Sequence, residues 1–98
     1  SLAIVTTLFD RLAKQSPNEA CVMYLTGFFE KSRLRNLQIS NQSLSRAIEL
    51  DPGYSEALVE RGLNYLMLND KARACSDLKS ANSLGDVNAI KFIPQACQ

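Results

Sequence analysis

The strongest candidate nucleophiles and soft metal ligands in this 98-residue chain are Cys21, Cys75 and Cys97, and the chain has no histidine. A tetrahedral metal set needs Cys-x-x-Cys spacing or a partnering imidazole, and neither occurs, so no metal site is expected. Cysteine catalysis needs a base and an orienting group, and without histidine only a carboxylate or a lysine would remain to serve. The expectation is therefore that the protein is not an enzyme and carries no cofactor. Cys75 precedes Gly85 by ten residues and Cys97 follows it by twelve. In an antiparallel hairpin turning at Gly85 both would lie roughly 15 Å from the turn, at about 1.5 Å per helical residue. A Cys75–Cys97 disulfide and a pair of reduced thiols both fit this spacing, since Pro94 leaves the register of Cys97 open and disulfide geometry is strict. The bond would imply an oxidising compartment. Cys21 has no evident sequence partner and reads as a small packing residue.

The basic run Lys31, Arg33, Arg35, with Arg46 beyond it, is the other group with chemical potential. Such a run can bind phosphate or RNA, but no aromatic platform interleaves it, and a solvated turn explains it as well. A net charge of +1 provides no global field to attract nucleic acid or an anionic membrane. The apolar stretches Leu2–Val5 and Leu63–Leu68 are far shorter than the roughly 18 to 20 residues of a membrane span. Ser1–Phe9 lacks the basic start and cleavage site of a secretory signal. A soluble protein is expected, in the cytoplasm or the periplasm. With 46% hydrophobic and 21% charged residues, the 98 residues suffice for one domain.

The elements that would position these residues are helices, because apolar positions recur at a helical period and no alternating β-branched run occurs. The spacing predicts a helix over about Leu2–Lys14, stopped by Ser16-Pro17. A second opens at about Asn18 and fades near Arg33. A third covers about Leu37–Leu50, with Ser40, Leu44, Ala47 and Ile48 inward, and ends at Asp51-Pro52-Gly53. A fourth runs from Ser55 to Leu68, where Asn69-Asp70 makes a tight turn. A fifth covers about Lys71–Leu84 and stops at Gly85, after which Asp86 caps a short helix carrying Val87, Ile90 and Ile93. Pro94 is expected to kink or end that last helix.

Two of these helix pairs repeat one another. Met23, Gly27 and Phe28 correspond to Leu58, Gly62 and Leu63 at an offset of 35, and Asn36, Ser40, Leu44, Ala47 and Leu50 to Asp70, Ala74, Leu78, Ala81 and Leu84 at 34. One extra residue must therefore lie between Glu30 and Arg35. Phe9 and Pro17 precede Leu44 and Pro52 by 35, so the first helix reads as the second half of a preceding unit. Glycine inside a helix costs about 1 kcal/mol relative to alanine, yet Gly27 and Gly62 stand at the same phase. Small residues on the facing helix, Ser40 with Ala47 and Ala74 with Ala81, supply the reason: the two helices of each hairpin approach closely there.

The pattern Leu58-x-x-Arg61-Gly62-x-x-Tyr65 followed by Ala74-x-x-x-Leu78-x-x-Ala81 resembles the tetratricopeptide repeat, and Ala47-Ile48-Glu49-Leu50-Asp51-Pro52 is similar to the usual end of such a unit. The resemblance covers residues 18–52 and 53–85 as two units, with 2–17 as part of an earlier one. Arg61 replaces the expected leucine, Glu30 stands where Tyr65 does, and Asp86 replaces the final proline. The closing segment from Ala74 to Cys97 resembles that of some bacterial members, and residues 86–97 would cap the stack. The resemblance implies an all-α, right-handed solenoid of antiparallel helix-turn-helix units with about five to six helices.

It further implies that the first helix of each hairpin lines a concave face that holds a protein or peptide. The lining positions are Cys21, Tyr24, Phe28 and Lys31 in one unit and Glu56, Val59, Leu63 and Leu66 in the next. Relatives that grip a terminal carboxylate use Lys, Arg and Asn there, whereas Tyr24, Phe28, Val59 and Leu63 fill most of those places here. An apolar helix or peptide is the expected ligand, held mainly by desolvation around aromatic anchors. The same face is equally open to being covered by the terminal helix, the first helix or a second copy of the chain. Self-association thus stands beside a protein partner, and neither a membrane nor a nucleic acid is favoured.

Overall fold

A computed structural model describes residues 19–98, so the helix expected over Leu2–Lys14 and the cap expected at Asn18 lie outside the described residues. Helix α1 spans Glu19–Ser32, α2 Leu37–Leu50, α3 Ser55–Met67 and α4 Lys71–Ser83. A 3-10 helix, Val87–Phe92, and a single α-turn, α5, Ile93–Ala96, complete the chain. Among the described residues the fold is all-α, with no strand, and consecutive helices pack as antiparallel neighbours: α1 on α2, α2 on α3, α3 on α4. The 3-10 helix and α5 lie mainly against α4. No helix among the described residues is long and apolar enough to cross a membrane.

The two hairpins are built alike from the residue level up. Asn36 caps α2 by accepting a hydrogen bond from the Ile39 N–H at 3.0 Å, and Asp70 caps α4 through the Arg73 N–H at 3.2 Å. Each side chain satisfies a donor that the first helical turn leaves orphaned. At the end of α3, Asn69 takes a left-handed φ of 62° and the Asp70 N–H donates to the Tyr65 carbonyl at 2.8 Å, closing the turn over five residues. Gly85, φ 92°, closes α4 in the same way through Asp86 N–H and the Ala81 carbonyl. At the end of α1 the corresponding bond, from the Asn36 N–H to the Glu30 carbonyl at 3.1 Å, spans six residues, with Arg35 at φ 53°. The residue that separates the two repeat offsets is absorbed in this wider turn.

Close approach of the paired helices accounts for the in-phase glycines. A Cβ on Gly27 would stand 2.8 Å from Leu44 Cγ and 3.1 Å from the Ser40 carbonyl oxygen. One on Gly62 would stand 3.0 Å from Leu78 Cγ. Leu44 and Leu78 are fully buried, each flanked by fully buried alanine, Ala47 in one unit and Ala74 and Ala81 in the other. Tyr65 is half-buried and lies between two guanidinium groups, those of Arg61 and Arg73, each 5.9 Å from its ring centre.

Two buried polar connections join the hairpins. Ser40 Oγ donates to the Gly27 carbonyl at 2.7 Å, and the Asn64 amide donates to Ser40 Oγ at 3.0 Å and to Asn41 Oδ1 at 2.8 Å. Arg61, at the position where the resemblance leads one to expect leucine, grips Asp77 with two bonds of 2.7 Å and reaches Ser45 on α2 at 3.0 Å. That bidentate bond holds the guanidinium above its ordinary pKa, against the opposing effect of burial. Arg61 thereby ties α2, α3 and α4 together. Glu30, standing where Tyr65 does, accepts from Ser43 Oγ at 2.6 Å.

The closing segment differs from the expected single helix. Asp86 accepts from the Asn88 N–H at 3.0 Å and starts a 3-10 helix rather than an α-helix. The 3-10 helix ends at Phe92, and Pro94 lies in the first turn of α5 that follows, where proline fits because first-turn N–H groups have no intrahelical partner. Ala89 and Ala96 are buried on the second hairpin, and Phe92, Ile93 and Cys97 pack around the core of Leu58, Val59, Ala74, Leu78 and Ala81. Cys75 and Cys97 are joined by a disulfide, Cα to Cα 5.0 Å, fastening the chain end to α4.

Candidate functional site

Along α1, Tyr24, Phe28 and Lys31 succeed one another at spacings of four and three, which places them on one helix face. On α3 the spacing of Glu56, Val59, Glu60 and Leu63 does the same. The face of α1, the face of α3 and the 3-10 helix enclose a cleft of about 240 Å³. Tyr24, Val59, Leu63 and Phe92 provide its apolar and aromatic surface, and Glu56, Glu60, Asp86, Asn88 and Lys91 its polar rim.

Tyr24 is half-buried and packs against Tyr54 with ring centres 5.2 Å apart. Burial pushes its hydroxyl above the ordinary value, and the carboxylates of Glu60, Glu56 and Asp86 add to the shift, which places three negative charges around the phenol. Tyr54 is raised further, first by burial and then by its hydrogen bond with Cys21. Cys21 is half-buried beside Tyr54. Lys31 is spent on an ion pair with Glu60, 2.9 Å, with about a fifth of each side chain accessible. Arg33 and Arg35 of the basic run are exposed beside it.

The positions expected to line an open groove thus divide. Tyr24, Glu56, Val59 and Leu63 meet in the cleft. Val59 is at the same time a core residue, 7% exposed. Leu66 packs on the core of the second hairpin and is not part of the cleft wall. Phe28, 46% exposed, extends the apolar face of α1 beyond Tyr24. The closing segment supplies one wall of the cleft instead of sealing it. Glu60 was legible as the fourth-residue neighbour of Glu56 on the same face, whereas Asp86, Asn88, Lys91 and Phe92 depend on how the chain returns after Gly85, which no local period encodes.

Among the described residues no group of His, Cys, Asp and Glu side chains is placed to hold a metal ion. What the cleft offers is an apolar floor, two aromatic rings and a mainly acidic rim. No protein-family model matches the chain, and no curated protein matches it.

Proposed function

We propose that this protein is an interaction module of tetratricopeptide type, which holds a segment of a partner protein in the cleft between α1, α3 and the 3-10 helix. The observation that carries this reading is the exposed ring of Phe28 one turn along α1 from Tyr24, which itself lines a cleft with Val59, Leu63 and Phe92. Large apolar side chains left in contact with water beside a preformed recess are the usual marks of a binding face. The segment would carry apolar anchors, since aromatic-lined recesses gain affinity by desolvation. The matching spacings of the two hairpins and their in-phase glycines support the family reading. The alternative, a phosphate or RNA surface on Lys31, Arg33 and Arg35, is weakened by the engagement of Lys31 with Glu60.

Selection of peptides from a random display library against the whole chain tests the proposal. Selected peptides should share an apolar core, shift the NMR signals of Tyr24, Leu63 and Phe92, and bind at least about tenfold more weakly to Phe28→Asp, the loss of one anchor of about 1.4 kcal/mol. Phe28 is exposed, so the variant leaves the core untouched. Failure to select any peptide, or unchanged affinity for Phe28→Asp with signals shifting elsewhere, would overturn the cleft assignment.

A further inference from the structure

Antiparallel packing sends both hairpin turns to one end of the molecule and the α2–α3 and α4–3-10 connections to the other. The two ends are opposite in charge. Among the described residues the hairpin-turn end holds Lys31, Arg33, Arg35, Lys71 and Arg73 against Glu30, Asp70 and the Glu60 carboxylate paired with Lys31, five cations to three carboxylates. Among the described residues the opposite end holds Glu19, Glu49, Asp51, Glu56 and Asp86 against Arg46, Lys79 and Lys91, five carboxylates to three cations. Both ends also present apolar side chains to water. Leu34 and Met67 are 60% and 57% exposed on the basic end, and Leu84 and Val87 are 49% and 73% exposed on the acidic end.

The basic end contains a recess of about 330 Å³ between the two turns, lined by Lys31, Ser32, Arg35, Leu37 and Met67. On the acidic end Val87 projects beside Leu84 and Asp86 at the start of the 3-10 helix. A recess lined by Lys31 and Arg35 and two exposed apolar side chains near carboxylates are complementary in polarity and charge, and each chain carries one of each. We propose that the protein associates head to tail with further copies of itself, Leu84 and Val87 of one copy entering the recess beside Met67 and Arg35 of the next. The contact joins two different surfaces, so it leaves one of each free on every pair and extends rather than closing at a dimer. The near-neutral net charge of +1 allows this approach without overall repulsion.

Sedimentation and light scattering of the whole chain test this over rising protein concentration. The average mass should climb without a plateau at the dimer in about 0.1 M salt. It should return towards the monomer in about 1 M salt, where the screening length falls from roughly 10 to 3 Å. Arg33→Glu with Arg35→Glu leaves the hairpin-turn end three cations against five carboxylates, so both ends are acidic, and Glu19→Lys with Glu49→Lys leaves the opposite end three carboxylates against five cations, so both are basic; all four positions are exposed. Each variant alone should stay monomeric and their mixture should regain association. Val87→Ser, a milder change at an exposed site, should cut the association constant at least about tenfold, a typical loss for an apolar anchor. A wild-type chain that stays monomeric throughout overturns the proposal, and so does continued association of either charge variant alone, which would indicate a symmetric contact through one end. Neither outcome bears on peptide binding at Phe28.

Discussion

Adding one methyl group at Gly27 should destabilise the protein, although alanine is the better helix former. On an unobstructed helix the exchange would gain about 1 kcal/mol. Here the new Cβ would stand 2.8 Å from Leu44 Cγ, 3.0 Å from Leu44 Cδ2 and 3.1 Å from the Ser40 carbonyl oxygen. The leucine can turn only within a fully packed site, and the carbonyl belongs to the backbone of α2, so the helices must part. Overpacking costs about 1–3 kcal/mol; with a backbone atom in the way the upper half of that range applies, about 2–3 kcal/mol, and the net loss expected for Gly27→Ala after the propensity gain is about 1–2 kcal/mol. Gly62 provides the internal control. Its Cβ would meet Leu78 at 3.0 and 3.2 Å and Asp77 Cβ at 3.4 Å, with no backbone atom in the way. Propensity and crowding then nearly cancel, and Gly62→Ala should fall within about 0.5 kcal/mol of wild type. Urea unfolding followed by circular dichroism, with unchanged m-values, reads both. The clash also predicts a coupling: Leu44→Ala should cost about 2–5 kcal/mol alone, but the double variant should be about 1 kcal/mol more stable than the sum of the singles. If Gly27→Ala proves stabilising, or if the two glycines respond alike, close approach is not what keeps glycine at this phase.

Three further perturbations follow from the packing. Replacing Cys75 and Cys97 together by serine should cost about 3 kcal/mol, the loop-closure value for a separation of 22 residues; native alkylation of the untreated chain should add no label at either cysteine, and labelling at both would refute the bond. Arg61→Leu restores the residue type the repeat pattern leads one to expect yet strands the buried Asp77, and should cost about 3 kcal/mol, near the low end for a broken buried pair because the arginine keeps partial exposure; Asp77→Asn in that background should return part of it, and a stabilised single variant would contradict the pairing. Tyr24 and Tyr54 both sit above their ordinary value of 10.0 in the folded state. The folded chain therefore holds phenolic protons that the unfolded chain loses first, and stability is full below pH 10 and declines above it, by up to about 1.4 kcal/mol per pH unit per tyrosine. Chemical denaturation across that range should show the decline, reduced in Tyr24→Phe and Tyr54→Phe; an equally steep decline in both variants would place its origin elsewhere.

The helices were legible because their buried stripes recur at the period of the α-helix, and Ser40, Leu44, Ala47, Ala74, Leu78 and Ala81 are all buried. The repeat was legible because close approach demands small residues at fixed separations. Asn36 and Asp70 were visible as equivalent positions, and both serve as caps, a role that follows from chemistry any turn-forming Asn or Asp can offer. The Arg61–Asp77 bond joins residues sixteen apart, a contact that appears only once α3 and α4 are folded back on each other. The walls of the cleft were half legible for the same reason: the helical faces follow from spacing, whereas the 3-10 wall follows from the path of the chain after Gly85. At Pro94 a general rule about breaking helices gave way to its exception at helix starts.

The chain of hydrogen bonds from Asn64 through Ser40 to the Gly27 carbonyl has a consequence for the order of the hairpins. Two units that share a pattern of small and large residues could in principle stack in either sequence. The donor hydroxyl, however, belongs to the first unit alone: Ala74 holds the equivalent place in the second. Likewise Asn64 belongs to the second unit, with Phe29 at its counterpart in the first. Pairing two copies of the second hairpin would set the Asn64 amide against the Ala74 methyl group, at a cost of about 1–3 kcal/mol for its lost partner, and exchanging the hairpins would set Ala74 against Phe29 and forgo the bond. The polar chain therefore works as an address that tells each unit which neighbour it has, and a tandem array assembled from this chain's hairpins would keep its sequence of units only if the serine and the asparagine alternate in step.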